Sequence, residues 1–189
     1  MRIVGGRFRG TQLAGLGKGD PAAHLRPTSD RLRETIFNIL AHGNLATPPP
    51  PEGARVLDLF AGTGALGFEA LSRGAAQVVF VDDGVKARAL IRTNADRLGV
   101  TGQIKLWRRD ATRLGQNRGA AFDLIFLDPP YGKGLGEAAL ASAHAGGWIA
   151  PGALIVWEEG AEITPPPWAE ALVQRRHGAA VLTILRAVG

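Results

Sequence analysis

From residue 55 onward, apolar positions fall into two alternating rhythms. Short, nearly unbroken apolar runs lie near residues 55–60, 77–82, 103–107, 122–127 and 153–158. Runs of that kind mark strands buried on both faces of a parallel sheet. Between them, near 65–73, 85–98 and 134–145, the pattern is that of helices. Two more strand-like runs, near 171–176 and 180–186, close the chain as a hairpin turned at Gly178. The alternation predicts an α/β fold on a doubly wound, mostly parallel, seven-stranded sheet.

The chain before residue 54 reads differently. Residues 1–16 suggest two short strands broken by glycines, and residues 17–27 a loop. The stretch 26–40 gives a helix, with Thr28, Ser29 or Asp30 available to cap it and an apolar stripe of Leu32, Ile36, Ile39 and Leu40. Arg31 and Arg33 fall off that stripe and are expected to stay accessible. Pro48, Pro49, Pro50 and Pro51 form a stiff linker. The expected division is a small extension over 1–47 and a main domain over 48–189.

Composition narrows the classes. The 189 residues suffice for one sizeable core, and no apolar run reaches the length of a membrane span. The start lacks a signal peptide's apolar segment, so the expected location is the cytoplasm. Without cysteine there are no disulfides and no thiolate metal sites, and no metal is expected. Residues 1–40 hold seven Arg or Lys (Arg2, Arg7, Arg9, Lys18, Arg26, Arg31, Arg33) against three acids (Asp20, Asp30, Glu34). A basic extension on a nearly neutral body suggests a polyanion such as nucleic acid, with Arg2, Arg7, Arg9, Arg26, Arg31 and Arg33 on its phosphates.

The candidate chemistry begins at the end of the fourth strand, where Phe122–Leu127 runs into Asp128-Pro129-Pro130-Tyr131. Two prolines cannot continue a strand, so the chain turns at the carboxyl edge of the sheet, where open α/β sheets hold ligands. The turn gathers a carboxylate, a proline carbonyl and a flat ring. Asp128 and the Pro129 carbonyl can accept both hydrogens of an exocyclic amine while Tyr131 stacks on the ring that carries it. Read alone, the same turn could serve as a chain reversal, so the choice depends on a cofactor site upstream.

Upstream, Asp58 precedes Phe60-Ala61-Gly62-Thr63-Gly64-Ala65-Leu66-Gly67, which fits G-x-G-x-x-G. Dinucleotide enzymes share that spacing, but an acid beside the helix start repels phosphates and favours a cationic, amino-bearing cofactor, as S-adenosylmethionine (SAM) is. Asp82, after the second strand, is placed for a ribose diol. Asp110, with Ala111 after it, follows the third and can accept an adenine amine. One acid thus ends each of the first four strands.

At this point the chain resembles the RsmD family of small-subunit rRNA guanine-N2 methyltransferases, of the Rossmann-like class I fold. The resemblance covers nearly the whole length. It rests on Met1–Gly6 with Arg9-Gly10, on Arg26–Glu34 with Phe37–Leu40, on Val56–Gly67 with Glu69–Ala75, and on Asp128–Tyr131. It implies a SAM-dependent enzyme that methylates the N2 amine of one guanine in 16S rRNA, in an assembling small subunit. It further implies cofactor contacts at Asp58, Phe60, Ala61, Gly62, Gly64, Asp82, Asp110 and Ala111, and catalysis at Asp128, Pro129, Pro130 and Tyr131. Nothing in the sequence demands a dimer, so a monomer is expected. Two departures stand out: Gly84 takes the place of a second acid after Asp82, and the last hairpin is only loosely similar. The alternatives are an adenine-N6 methyltransferase, a nicotinamide dehydrogenase and a non-catalytic RNA-binding assembly protein. The dehydrogenase is disfavoured by Asp58 and by the scatter of His24, His42, His144 and His177.

Overall fold

A computed structural model describes residues 1–15 and 28–188. Seven strands form one sheet in the order β3-β2-β1-β4-β5-β7-β6. They are β1 (Arg55–Leu59), β2 (Gln77–Val81), β3 (Ile104–Trp107), β4 (Phe122–Leu127), β5 (Ile149–Glu159), β6 (Ala169–His177) and β7 (Ala180–Ala187). The first five pair in parallel. The turn at Gly178 makes β6 and β7 an antiparallel hairpin, and β7 inserts antiparallel against β5. The β1 register sets Leu59 opposite both Val81 and Leu127, which aligns the carboxyl ends of β2, β1 and β4.

Helices α1 (Asp30–His42), α2 (Ala65–Ser72) and α3 (Val85–Leu98) bury their apolar faces on one side of the sheet. Helix α4 (Leu135–Ala145) covers the other, over a core that includes the fully buried Trp148 and Trp157. Both faces are closed, which is why the strands read as continuous apolar runs.

Ser29 is the residue that caps α1, accepting from the Leu32 amide at 3.1 Å. Its buried face is Leu32, Ile36, Phe37 and Leu40, with Ile39 at the margin. Phe37 packs against Phe126 of β4 with ring centres 5.8 Å apart. Ile3 and Leu13 join the same core, so the extension and the sheet share one apolar interior.

Two expectations are corrected. The two strands expected over 1–16 are not found among the described residues 1–15, whose strand pairing is a single Arg2–Gln12 bridge. Gly6 and Gly10 adopt φ of +78° and +85°, outside regular strand geometry, and they turn the chain instead. Arg33 is not available to RNA. It is fully buried, donating to the Arg2 carbonyl at 2.8 Å, to Glu69 at 3.0 Å and to Asp30.

Glu69 is equally buried and gathers three stretches of chain. It accepts from the Val4 and Gly5 amides, each at 2.9 Å, and from Arg33 and Arg73, each at 3.0 Å. Removing one partner of such a buried pair strands a charge and costs about 3–5 kcal/mol.

Candidate active site

The carboxyl edge of β1 turns sharply. Phe60 takes a left-handed φ of +56°, and Gly64, at +81°, starts α2 with no side-chain cap. A Cβ on Gly64 would stand 2.6 Å from the Phe68 ring, so only glycine lets the loop fold back this closely. The Gly64 amide closes the turn onto Ala61, and the Ala61 amide reaches Val81 of β2 at 3.1 Å. Gly67 makes a similar close approach, with Phe80 of β2 where a Cβ would stand.

Asp58 lies one residue inside the end of β1, 2% exposed. One carboxylate oxygen accepts the Gly67 amide at 3.1 Å, docking the first turn of α2 onto the strand. Burial pushes its pKa well above the ordinary carboxylate value. The Gly67 amide opposes that shift, and the charge of Asp82 adds to it.

Asp82 immediately follows β2 and is half-buried. Its two oxygens accept the Gly62 amide at 2.9 Å and the Gly84 amide at 2.8 Å, so it ties the glycine loop to the start of α3. Burial raises its pKa, against those two amides. Each of its oxygens retains a further lone pair for a ligand hydroxyl. Gly84 is the first, uncapped position before α3, and Val85 after it is 73% exposed, unusual for a large apolar side chain.

Asp110 is exposed beyond β3 and caps its own turn, accepting the Thr112 amide at 2.8 Å and hydroxyl at 2.7 Å. Those bonds, the hydroxyl's first, hold its pKa below the ordinary value. Ala111 is buried, so its backbone is what it can offer a ligand.

On the other side of β1, Asp128 follows β4 directly and accepts the Thr28 hydroxyl at 3.3 Å. Pro129 is buried, and Pro130 and Tyr131 are half-buried. The Tyr131 hydroxyl donates to Glu158 of β5 at 2.6 Å, and the Tyr131 ring lies against Gly160, where a Cβ would meet it at 2.9 Å. Glu159 accepts the Gly132 amide at 3.1 Å and the Gly160 amide at 2.9 Å. The turn is thus held by one hydroxyl from the residue before the α1 cap and by two carboxylates from β5.

Glu158 and Glu159 were not singled out in the sequence, and Thr28 was named only as a possible helix cap. The signal was present: β5, like its neighbours, ends in acids, which a rule of one acid per strand end would have included.

Of the basic residues, Arg2, Arg7, Arg9 and Arg31 are exposed. Arg2 stands 3.6 Å from Asp30, and Arg7 lies over the Phe8 ring at 4.5 Å while donating to Gln103. Arg26 lies outside the described residues. Among the described residues no three His, Asp or Glu side chains converge as a metal site, and no helix is long and apolar enough to cross a membrane.

The chemistry of the glycine-loop side favours one kind of cofactor. A phosphate there would face Asp58 and Asp82. A ligand with an ammonium or sulfonium and a diol would face acceptors, against a backbone kept bare by Gly62 and Gly64.

The chain is similar to known proteins along most of its length. A family model named "Conserved hypothetical protein 95" matches residues 1–186. The chain is 37% identical over 163 residues to ribosomal RNA small subunit methyltransferase D of Escherichia coli (strain K12), covering 86% of this chain and 76% of that protein. It is 36% identical over 178 residues to the protein of the same name from Haemophilus influenzae, covering 89% and 84%. A solved Escherichia coli structure, "Putative methyltransferase yhhF", matches with a TM-score of 0.84 at 32% identity, over 100% of this chain and 98% of that one. The sheet is that of the class I methyltransferases. With a match along nearly its whole length and the expected motifs in place, the chain belongs to the conserved hypothetical protein 95 family, the RsmD family that its sequence resembles.

Proposed function

We propose that this chain is a SAM-dependent rRNA methyltransferase acting on the exocyclic N2 amine of a guanine in small-subunit rRNA. The observation that carries the reading is the Asp128–Tyr131 turn, braced by Thr28 and Glu158 beside the glycine loop. Related proteins named ribosomal RNA small subunit methyltransferase D support the RNA class.

Asp82 would hold the ribose diol and Asp58 the cationic amino-acid end, with Phe60, Ala61, Gly62 and Gly64 shaping the backbone cradle. Asp110 and the Ala111 backbone would meet the adenine edge, and Val85 would lie against its ring. When bound, SAM supplies an electrophilic methyl group on a sulfonium.

A guanine amine is a poor nucleophile because its lone pair is delocalised into the ring. Asp128 and the Pro129 carbonyl accept its hydrogens and favour the pyramidal nitrogen that attack requires. As the amine takes up that methyl group, Asp128 would accept the hydrogen bond of the surplus proton and guide it out of the site. Positioning and electrostatics supply most of the effect, so Asp128 acts as acceptor and orienter. The base must leave its stack, and Tyr131 with Pro130 would line the place it enters. Residues 1–47 would be the RNA-gripping extension, with Arg2, Arg7, Arg9, Arg26 and Arg31 on phosphates. The chain would act as a monomer in the cytoplasm.

The test is transfer of tritiated methyl from SAM to small-subunit particles lacking the modification, to naked rRNA and to DNA, followed by nucleoside analysis. N2-methylguanosine from particles or rRNA is the expected product. N6-methyladenine would overturn the guanine assignment. Transfer to nothing, with SAM bound, would point to an assembly protein.

A further inference from the structure

We propose that Glu158 selects guanine over other amine-bearing bases by accepting the hydrogen on ring atom N1, beside the amine held by Asp128. The inference rests on the guanine-N2 reading and deepens it.

The sheet sets the two carboxylates side by side. Strands β4 and β5 run parallel with Leu127 opposite Trp157, so one step on Asp128 and Glu158 occupy matching positions on adjacent strands. Neighbouring strands lie about 4.8 Å apart. Leu124 and Phe126 of β4, with Leu154 and Val156 of β5, face the core beneath α1 and α2. Two residues further on, Asp128 and Glu158 fall on that same face.

Glu158 is also built for more than bracing. It is 7% exposed; its Oε1 accepts the Tyr131 hydroxyl, while its Oε2 is buried with no hydrogen-bond partner among the described residues. A buried carboxylate oxygen is expensive to leave without a donor. Had bracing Tyr131 been its sole task, a neutral glutamine oxygen would accept the hydroxyl at lower cost of burial. By contrast Glu159, next in sequence, accepts two backbone amides through Oε1.

The edge of guanine fits this acceptor pair. It presents three hydrogens together, one on N1 and two on N2. Adenine and cytosine present an amine beside a ring nitrogen whose lone pair points outward. A carboxylate next to the amine site attracts the first arrangement and repels the second. Buried groups that would be left unpaired by the wrong base give the strongest discrimination available to a binding site.

The test uses small-subunit particles whose target guanine, once mapped, is replaced by 2-aminopurine in ligated rRNA. That base keeps the amine but has a lone pair at N1. The wild-type protein should favour guanine about 100-fold or more in kcat/KM. Glu158→Gln, which can turn an N–H toward that lone pair, should compress the ratio to within about tenfold while binding SAM normally. Tyr131→Phe removes the Tyr131–Glu158 hydrogen bond but keeps both carboxylates, so its ratio should remain wild-type. Equal use of the two bases by the wild-type protein would overturn the proposal without recourse to any variant. So would an unchanged ratio in Glu158→Gln, or the same compression in Tyr131→Phe, which would reduce Glu158 to a brace. Absence of N2-methylguanosine from the guanine particle itself would instead remove the underlying assignment.

Discussion

Two pairs of acids on the sheet's carboxyl edge, one pair on each half, are held in opposite ways, with Glu159 held by backbone amides like the first pair. On the β1–β2 side, Asp58 and Asp82 are satisfied by backbone amides of Gly67, Gly62 and Gly84. On the β4–β5 side, Asp128 and Glu158 accept side-chain hydroxyls from Thr28 and Tyr131. Amides fixed by a turn hold a carboxylate in one place; a hydroxyl can rotate and exchange its partner. The first half is therefore a rigid cradle, and the second an acceptor surface whose hydroxyl donors can be exchanged.

The largest effect should come from breaking the acceptor surface. Asp128→Asn keeps the shape but replaces one acceptor oxygen with a donor, and turnover should fall about 100- to 1,000-fold. SAM affinity and RNA binding, followed by calorimetry and filter retention, should hold. Equal losses in binding and turnover would make Asp128 structural and erase the contrast between the halves.

The cradle should fail by sterics. Gly64→Ala must fit a Cβ at 2.6 Å from Phe68 at a φ of +81°, costing about 1–3 kcal/mol in chemical unfolding. SAM binding should weaken in the same variant. If the methyl group were tolerated without loss, the close backbone approach would not be what shapes the loop.

Asp58→Asn sharpens the comparison through pH. The folded protein raises the pKa of Asp58 above the ordinary 3.8, so the native state holds that proton more tightly than the unfolded chain. Its stabilising contribution is full below the unfolded value and is lost as pH rises through the folded one. Thermal unfolding should therefore show the asparagine variant gaining on wild type as pH rises from about 4 toward neutrality. Its SAM affinity should drop, separating the cost of burying the charge from the use made of it. A constant difference across that range would deny the shift.

The smallest effect belongs to the exposed extension. Arg31→Ala should weaken RNA binding a few-fold and reduce the salt slope by about one. An unchanged slope would take Arg31 off the phosphates.

Strands β1, β2 and β4 were legible because a strand covered on both faces has no polar side to confuse the pattern. The glycine loop and the proline turn were legible because their backbone geometry restricts which residues fit. Arg33 was not. It sits one residue from Leu32 and one turn from Phe37, inside a buried face wider than the stripe suggested, and its partner Glu69 is far away in sequence. Only tertiary packing reveals that pairing. Glu158 and Glu159 were obscured for a simpler reason: acids that end a strand usually face water, and these two are covered by the turn they hold.

The extension is fastened in a way that bears on how such chains diverge. Glu69 reads the amides of Val4 and Gly5, and the fully buried Asn94 binds both the amide and the carbonyl of Ala14, at 2.7 and 3.1 Å. The Asn94 amide group also donates to the carbonyl of Thr63 in the glycine loop. All of these contacts address the peptide backbone and ignore the side chains it carries. Substitutions can thus rewrite much of the extension's surface while Glu69 and Asn94 keep its path beside the glycine loop unchanged.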